Sequence, residues 1–377
     1  MQLSEEQQIM SDMAAAFTRD HLRPNAQTWD ETAMLDREIL KSLSELGFGG
    51  IYTSERYGGS GLSRFEAVLI FEQLAKGCIS HATFLSIHNM ATWMVDRFAS
   101  DALRSEFIPR LATADLIVSY CLTEPGSGSD AASLKTSAVR DGDDYVLNGS
   151  KVFISGAGFS DLYLVMARTS DDGAKGISAF LIEKGAPGLS FGKNERKMGW
   201  KAQPTAMVMF DDCRVPERQR IGPEGDGFKY AMAGLDGGRL NIAACSLGGA
   251  QDAFDRALSY AQEREQFGRA LVEFQANQFR IADMETDLQA ARALLYGAAK
   301  KLDQKASDAT RACAMAKRFV TDTGFKVANE ALQMHGGYGY LAEYDVERIV
   351  RDLRVHQILE GTNEIMRVII SRSLLGV

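Results

Sequence analysis

Between positions 281 and 302 the apolar residues Ile281, Met284, Leu288, Ala291, Leu295, Ala298 and Leu302 recur at alternating intervals of three and four. A strand cannot use this spacing, because its side chains alternate between two faces, whereas a helix gathers such positions into one stripe. A long helix with one apolar stripe has to bury it against other helices. Ala312, Ala316, Phe319, Thr323, Val327 and Ala331 repeat the pattern, and residues 240–264 and 363–375 read as two further helices. The C-terminal part is therefore expected to be a four-helix bundle, and its stripes are core with no chemistry assigned to them.

Upstream, Ser4-Glu5-Glu6-Gln7 fits a capping box and is followed by Ile9, Met13 and Phe17 at helical spacing. A second helix runs through Ile39, Leu43 and Leu46 and stops at Gly47; Ser63-Arg64-Phe65-Glu66 caps a third that ends near Gly77. Helical texture lasts to about Ile117. Cys121-Leu122-Thr123-Glu124-Pro125-Gly126-Ser127-Gly128-Ser129-Asp130 then interrupts it, being too rich in Pro, Gly and Ser for regular structure. Asp141-Gly142 and Asn148-Gly149 read as hairpin turns flanking Tyr145–Leu147 and Lys151–Ser155. Strands are also expected at 163–167, 177–182 and 206–210, with the domain closing near Pro216. The expected class is α+β: an N-terminal helical domain (1–119), a central antiparallel β-barrel domain (120–222) and a C-terminal four-helix bundle (223–377).

The chain has 377 residues, 45% of them hydrophobic, enough for several domains with full cores. Its net charge of −8 argues against a nucleic-acid partner, since such proteins present basic faces. Cys78, Cys121, Cys213, Cys245 and Cys313 are scattered and read as reduced, buried thiols; His21, His81, His88, His335 and His356 lack ligand spacing, so no metal is expected. The early acids Glu5, Glu6 and Asp12 do not suit a signal or transit peptide, and no apolar run is long enough to span a membrane. The expected location is the cytoplasm of a bacterium, or the mitochondrial matrix if the chain is eukaryotic and already processed.

The chemistry-bearing stretch is Gln357-Ile358-Leu359-Glu360-Gly361-Thr362-Asn363-Glu364. Ile358 and Leu359 are expected to desolvate Glu360, and raising a carboxylate pKa by two units corresponds to roughly 2.7 kcal/mol. Glu360 then reads as a general base; on residues alone, a carboxylate in the first turn of a surface helix running from Thr362 to Leu375 is the more ordinary description. No GxGxxG or Walker A sequence is present, so a dinucleotide needs another cradle. Hydroxyls of Thr123, Ser127 and Ser129, with the amides of Gly126 and Gly128, offer an anion or flavin edge such a cradle, or form an ordinary linker. Arg264-Glu265-Gln266-Phe267-Gly268 reads as a ligand contact or as a turn in which Phe267 plugs the bundle. Gln333-Met334-His335-Gly336-Gly337-Tyr338 has more glycine than a helix C-cap needs, and Asp236-Gly237-Gly238-Arg239 reads as ligand contact or salt bridge.

Taken in order, YCLTEPGSGSD, FISGAG, DDCRVP, REQFG, QMHGGYGY and ILEGTNEI resemble the acyl-CoA dehydrogenase family over the whole chain. Within it, SIHNMATWM, GWKAQPT, LDGGR and HQILEGTNEIMRVIISRSLL are most similar to the branch that converts isobutyryl-CoA to methacrylyl-CoA in valine catabolism. Short-chain or 2-methylbutyryl substrates stay open, as do an oxidase-like flavoenzyme and a non-catalytic acyl-CoA-binding protein. The resemblance implies non-covalent FAD, a homotetramer built as a dimer of dimers, and electron-transferring flavoprotein as acceptor.

It also implies the site. Glu360 matches the catalytic base, and the position used for the base in other branches is Gly238 here. Cofactor contacts fall on Tyr120, Cys121, Leu122, Thr123, Gly128 and Ser129, on Phe153, Ile154 and Ser155, and on Thr362, Asn363 and Glu364. Arg264, Phe267, Phe274, Gln275, Gln333, Met334, His335, Gly336 and Gly337 match the adenosine and pyrophosphate end, partly across a subunit interface. Phe153 departs from many relatives, which carry Trp. Acyl-CoA contacts fall on Ser129, Asp236, Gly237, Gly238, Arg239, Gly361 and Arg372.

Overall fold

The computed structural model describes residues 3–376. Helix α1 (Glu5–Phe17) opens on the expected capping box, with Ser4 and Gln7 satisfying each other's backbone amides. Short helices α2 (Ala26–Thr32) and α3 (Arg37–Glu45) follow, and the chain leaves α3 through Gly47 at φ +83°. The Ser63–Glu66 capping box starts α4 (Arg64–Ala75), which packs on α5 (Ile79–Phe98), and α5 packs in turn on α6 (Asp101–Ala112). This is the N-terminal helical domain that the spacing predicts.

The middle domain is one eight-stranded mixed sheet. Its strands are β1 (Val118–Cys121), β2 (Ser137–Asp141), β3 (Asp144–Ser155), β4 (Leu162–Arg168), β5 (Ile177–Glu183), β6 (Leu189–Phe191), β7 (Thr205–Pro216) and β8 (Arg220–Ile221). The order β6-β7-β3-β2-β4-β5-β8 is an open path, with β1 also on β4, and β1 and β2 both run parallel to β4. The expected antiparallel barrel is thus not seen: the ends of the path are a three-residue and a two-residue strand with no ladder between them. Tyr163, Val165 and Ala167 face an inner cluster with Tyr145, Phe180 and Val215, while Leu162, Leu164 and Met166 face Met90, Met94 and Phe107 of α5 and α6. The inner face is buried by residues of the sheet domain itself, and helices cover the other face.

A second expectation also fails. Asn148-Gly149 is not a hairpin turn but a bulge inside β3, whose register with β7 shifts between Leu147 and Gly149. Both flanks pair with β7, and the Asn148 amide bonds Asp212 on that strand, so the chain passes straight through. The other turn holds, with Asp141 paired to Asp144 across Gly142 and Asp143.

Helix α7 (Gly227–Glu263) begins the C-terminal domain and leads through a small hairpin, β9 (Glu265–Gln266) and β10 (Arg269–Ala270), into α8 (Gln275–Asp303). Helix α9 (Ala309–His335) returns, a short α10 (Val346–Arg354) crosses, and α11 (Asn363–Leu375) closes the bundle. Met284, Leu288, Ala291, Leu295 and Ala298 are buried as the stripe requires, and all five cysteines are free and buried. Among the described residues no helix is long and apolar enough to cross a membrane.

Candidate active site

Glu360 lies between α10 and α11, outside any helix, because Thr362 is the N-cap of α11 and its hydroxyl accepts the Ile365 N–H. Its backbone sits at φ +53° and that of Gly361 at φ +89°, two left-handed residues in succession. For a residue with a β-carbon this conformation costs about 1–2 kcal/mol and needs external support. Arg239 supplies part of it: the guanidinium is 4% exposed, is held by Asp236 at 2.7 Å, and donates to the Glu360 carbonyl at 3.4 Å. Lys317 of α9 donates to the next carbonyl, that of Gly361, at 2.8 Å.

The turn points the carboxyl inward. A β-carbon on Gly238 of α7 would stand 2.5 Å from Glu360 Oε2 and 2.8 Å from Met90 Sδ. Oε2 is buried and has no hydrogen-bond partner, and the Tyr120 hydroxyl is likewise buried and unpartnered. Burial pushes the Glu360 pKa up to about 7, against the pull of Arg239 and Lys317. The desolvating wall differs from the one expected. Ile358 is 50% exposed, and the enclosure comes instead from the Met90 and Gly238 side.

The other predicted residues fall into two groups. Tyr120, Cys121, Leu122 and Thr123 lead out of β1, next to the end of β3 that carries Phe153, Ile154 and Ser155; the Thr123 carbonyl accepts the Val152 N–H at 2.9 Å. Phe153, at φ +58°, holds its ring 70% exposed, while Ile154 is core. Gly126 and Gly128 have no neighbour within 4 Å of an added β-carbon, and Ser129 is exposed. The loop is fastened from beneath by Lys151, which pairs with Glu124 at 2.7 Å and donates to the Leu122 carbonyl at 3.1 Å. Ser127 is not free: it is buried, and its hydroxyl donates to the Asp130 carbonyl at 2.7 Å. An exposed aromatic ring, the open Gly126 and Gly128 positions, the exposed Ser129 and an unpartnered carboxylate oxygen still suit a flat heterocycle with polar edges, so the residues fit a flavin.

The second group lies far along α9. Gln333, Met334, His335, Gly336 and Gly337 line a groove of about 460 Å³ together with Arg264, whose guanidinium lies 5.4 Å from the Tyr338 ring centroid. Gln333 is separated from Lys317 by roughly 24 Å along the helix, at about 1.5 Å per residue. Phe267 is 95% exposed, so it plugs nothing, and Phe274 stacks under Arg269 at 4.0 Å, with Gln275 opening α8.

Asn363 is 3% exposed, and its side chain is spent on Lys317, Thr321 and Asp322 of α9. Glu364 is exposed, and Arg372 is exposed near the C-terminal end of α11. Lys317 is the residue the sequence reading passed over. Its signal was a lysine at helical spacing between the buried Cys313 and Thr321.

A helical domain, a helix-backed sheet and a bundle meeting around one desolvated carboxylate are the features of the acyl-CoA dehydrogenase family, flavin-dependent oxidoreductases, and the chain belongs to that family. Its N-terminal, middle and C-terminal domain profiles match residues 4–115, 119–213 and 225–375. The mitochondrial isobutyryl-CoA dehydrogenase of Bos taurus is 52% identical over 375 residues, covering 100% of this chain and 90% of the relative. A solved chain described with the electron transferring flavoprotein of Acidaminococcus fermentans is 42% identical, with a TM-score of 0.97 over 100% of this chain and 99% of that one. A structure described as the FAD complex of PigA is 34% identical, with a TM-score of 0.96 over 99% and 98% of the two chains.

Proposed function

We propose that the chain is an FAD-dependent dehydrogenase of a short branched acyl-CoA, converting isobutyryl-CoA to methacrylyl-CoA in valine catabolism. The observation that carries this reading is the Glu360 carboxyl, held against Gly238 with Oε2 unpartnered and a pKa pushed up to about 7. A base poised there is half ionised near neutral pH, where it is strong enough to take a proton made acidic by an adjacent thioester. The 52% identity to an isobutyryl-CoA dehydrogenase supports the choice of acyl group.

In this reading Glu360 removes the α-proton at its unpartnered oxygen. The Glu360 N–H lies in the same left-handed turn and would serve as a donor to the thioester carbonyl, stabilising the negative charge that develops there. Asp236, Gly237, Gly238, Arg239, Gly361, Ser129 and Arg372 would contact the acyl-CoA, with Gly238 leaving room beside the base. FAD would be held by residues 120–123, 128–129, 153–155 and 362–364, and supplies the acceptor for the β-hydrogen when bound. Binding both molecules expels water and strengthens the enclosure that already raises the Glu360 pKa.

The adenosine-end residues, Arg264, Phe267, Phe274 and Gln275 about the α7–α8 connection and Gln333 to Gly337 at the end of α9, stand apart from the turn that carries Glu360, with Gln333 roughly 24 Å along α9 from Lys317. That separation supports a homotetramer, a dimer of dimers in which a neighbouring copy completes each site. Domain limits of 1–119, 120–222 and 223–377, electron-transferring flavoprotein as acceptor, and a bacterial cytoplasmic or processed mitochondrial location complete the proposal. Anaerobic mixing of the flavin-loaded enzyme with isobutyryl-, 2-methylbutyryl- and butyryl-CoA tests it. Isobutyryl-CoA should bleach the flavin fastest; a preference for butyryl-CoA would overturn the substrate, and no bleaching by any thioester the reaction.

A further inference from the structure

We propose that Lys317 is a positioning residue for the base: from α9 its ammonium grips the turn that carries Glu360 and stands behind that carboxylate as a fixed positive charge. The inference rests on the reading of Glu360 as the base.

The Lys317 side chain is fully buried. An apolar side chain of similar length would fill the same space without the desolvation penalty, so a lysine kept here has to act through its donors or its charge. Among the described residues no carboxylate oxygen lies within ion-pair distance of it. It donates instead to the Gly361 carbonyl at 2.8 Å and the Asn363 Oδ1 at 2.9 Å. The site is also the N-terminal end of α11, where the helix dipole disfavours a cation.

Asp322, one turn further along α9, completes the grip. It accepts from the Asn363 amide at 2.7 Å and from the Gln357 amide at 2.8 Å. The segment from Gln357 to Asn363 is thereby tied to one rigid helix at both ends, with Glu360 between the ties. Lys317 holds the carbonyl directly after the base, Arg239 the carbonyl of the base itself. The strained left-handed Glu360 persists because its own carbonyl and that of Gly361 are both fixed.

The charge matters as well as the grip. Glu360 is faced by Arg239 and Cys245 from α7, Lys317 from α9, Tyr120 from β1 and Tyr52 from the α3–α4 connection. Only the two cations favour its ionised form. Lys317 in turn is faced by Glu360, Arg239, Asp322, Glu364 and His356. Burial brings its pKa down to about 8, with Glu360 opposing that shift, so the amine is mostly charged at the pH where the base is half ionised. Removing this charge leaves the carboxylate less stabilised, and its titration moves to higher pH.

The test is the pH dependence of kcat/KM for flavin-loaded Lys317→Gln, Lys317→Met and Lys317→Arg with isobutyryl-CoA, with the melting temperature and flavin content of each. Gln keeps a donor but no charge, Met keeps neither, and Arg keeps both. In Gln and Met the limb assigned to the base should move up by half a unit or more. That shift loses roughly threefold or more below the limb and recovers at high pH, since one unit of pKa is tenfold. Met should also lower the plateau, and Arg should restore the wild-type limb. A lower plateau or melting temperature with the limb unmoved in Gln would mean a merely structural lysine and would overturn the proposal. Glu360→Gln is run beside them: if it keeps turnover the base reading itself falls, whereas an inactive Glu360→Gln with an unmoved Lys317→Gln limb removes only this inference.

Discussion

Gly238 and Glu360 share one small space: a β-carbon on the first would stand 2.5 Å from Oε2 of the second. Gly238 is buried in mid-helix, where glycine costs roughly 1 kcal/mol of helix stability relative to alanine. That cost persists because the neighbouring carboxyl needs the room. Gly238→Ala is therefore expected to strengthen α7 intrinsically while pushing the Glu360 carboxyl or Met90 out of place. Turnover should drop at least roughly tenfold, since displacements of about 1 Å at a reacting group carry such losses, with little change in flavin content. Wild-type turnover in Gly238→Ala would show that the carboxyl does not work from this position.

Replacing Glu360 by Gln keeps the shape of the turn and removes the base. Turnover should fall roughly a hundredfold to ten-thousandfold, the usual share of general base catalysis, while flavin and acyl-CoA still bind. In the unmodified enzyme kcat/KM should rise with pH through about 7, where Glu360 ionises. The stability effect runs the other way. A carboxyl whose folded pKa lies above its unfolded value of about 4.5 favours folding while protonated, and that advantage fades as pH rises from about 4.5 to 7. Glu360→Gln should therefore match the wild type in stability near pH 4.5 and exceed it above pH 7 by roughly 1–3 kcal/mol, seen as a higher melting temperature. Equal melting temperatures at pH 8 would contradict a desolvated carboxylate.

The bundle was legible because a three-and-four stripe has one structural meaning, and Met284, Leu288 and Leu295 are buried where that meaning puts them. Capping boxes at Ser4 and Ser63 were equally plain, since hydroxyl and carboxyl or amide stand at fixed offsets. Asn148-Gly149 misled because the same dipeptide serves a turn and a bulge. Which one forms was settled by the distant β7 and by Asp212, and the local pattern carries neither. Sheet closure was illegible for a similar reason: alternating strands do not reveal that helices cover the second face. At the site, the motif marked Glu360, but the source of its desolvation lies on α5 and α7. Spacing aside, nothing local to Lys317 separates it from a surface lysine; its burial comes from the packing around it.

The loop from Cys121 to Asp130 is anchored by a buried pair, and that gives a test independent of the base. Lys151 is 0% and Glu124 6% exposed in their side chains, and Glu124 also accepts the Lys135 and Thr136 amides at 2.6 and 2.9 Å. Lys151→Met leaves a buried carboxylate with no cation, which costs about 3–5 kcal/mol when one partner of such a pair is lost. The loop should loosen, weakening flavin retention more than it slows turnover of the molecules that stay loaded. Dialysis of the variant with flavin absorbance as the readout separates these effects. Unchanged flavin content together with an unchanged melting temperature would show that the pair does not fasten the loop.

The three most deeply buried histidines work against two carboxyls in acid, and burial lowers the pKa of a fourth, His335, in the same direction. His81, His88 and His356 are at most 1% exposed, and burial holds their pKa values down to about 3, 4 and 3. His88 shows why the neutral form is built in: its Nδ1 accepts the Val118 N–H at 3.2 Å, leaving Nε2–H to donate to the Leu111 carbonyl at 2.9 Å. The unfolded chain binds these protons below about pH 6.5, so each histidine lowers stability by about 1.4 kcal/mol per pH unit below that point. Glu360 and Asp352, raised to about 7 and about 6 by burial, take up protons in the folded state over nearly the same range. Two of these three protons are thus offset down to roughly pH 4.5, where an unfolded Glu protonates, and one of them down to about pH 4, where an unfolded Asp does. The expected course is a decline of at least about 1.4 kcal/mol per unit from pH 6.5 to 4.5. Below that the slope should steepen to about twice as much, until the folded His88 itself begins to protonate near pH 4. Urea midpoints at closely spaced pH values give this slope directly. A midpoint that stays flat from pH 5 to 4 would mean that the histidines are charged in the folded protein, or that they are not buried as described.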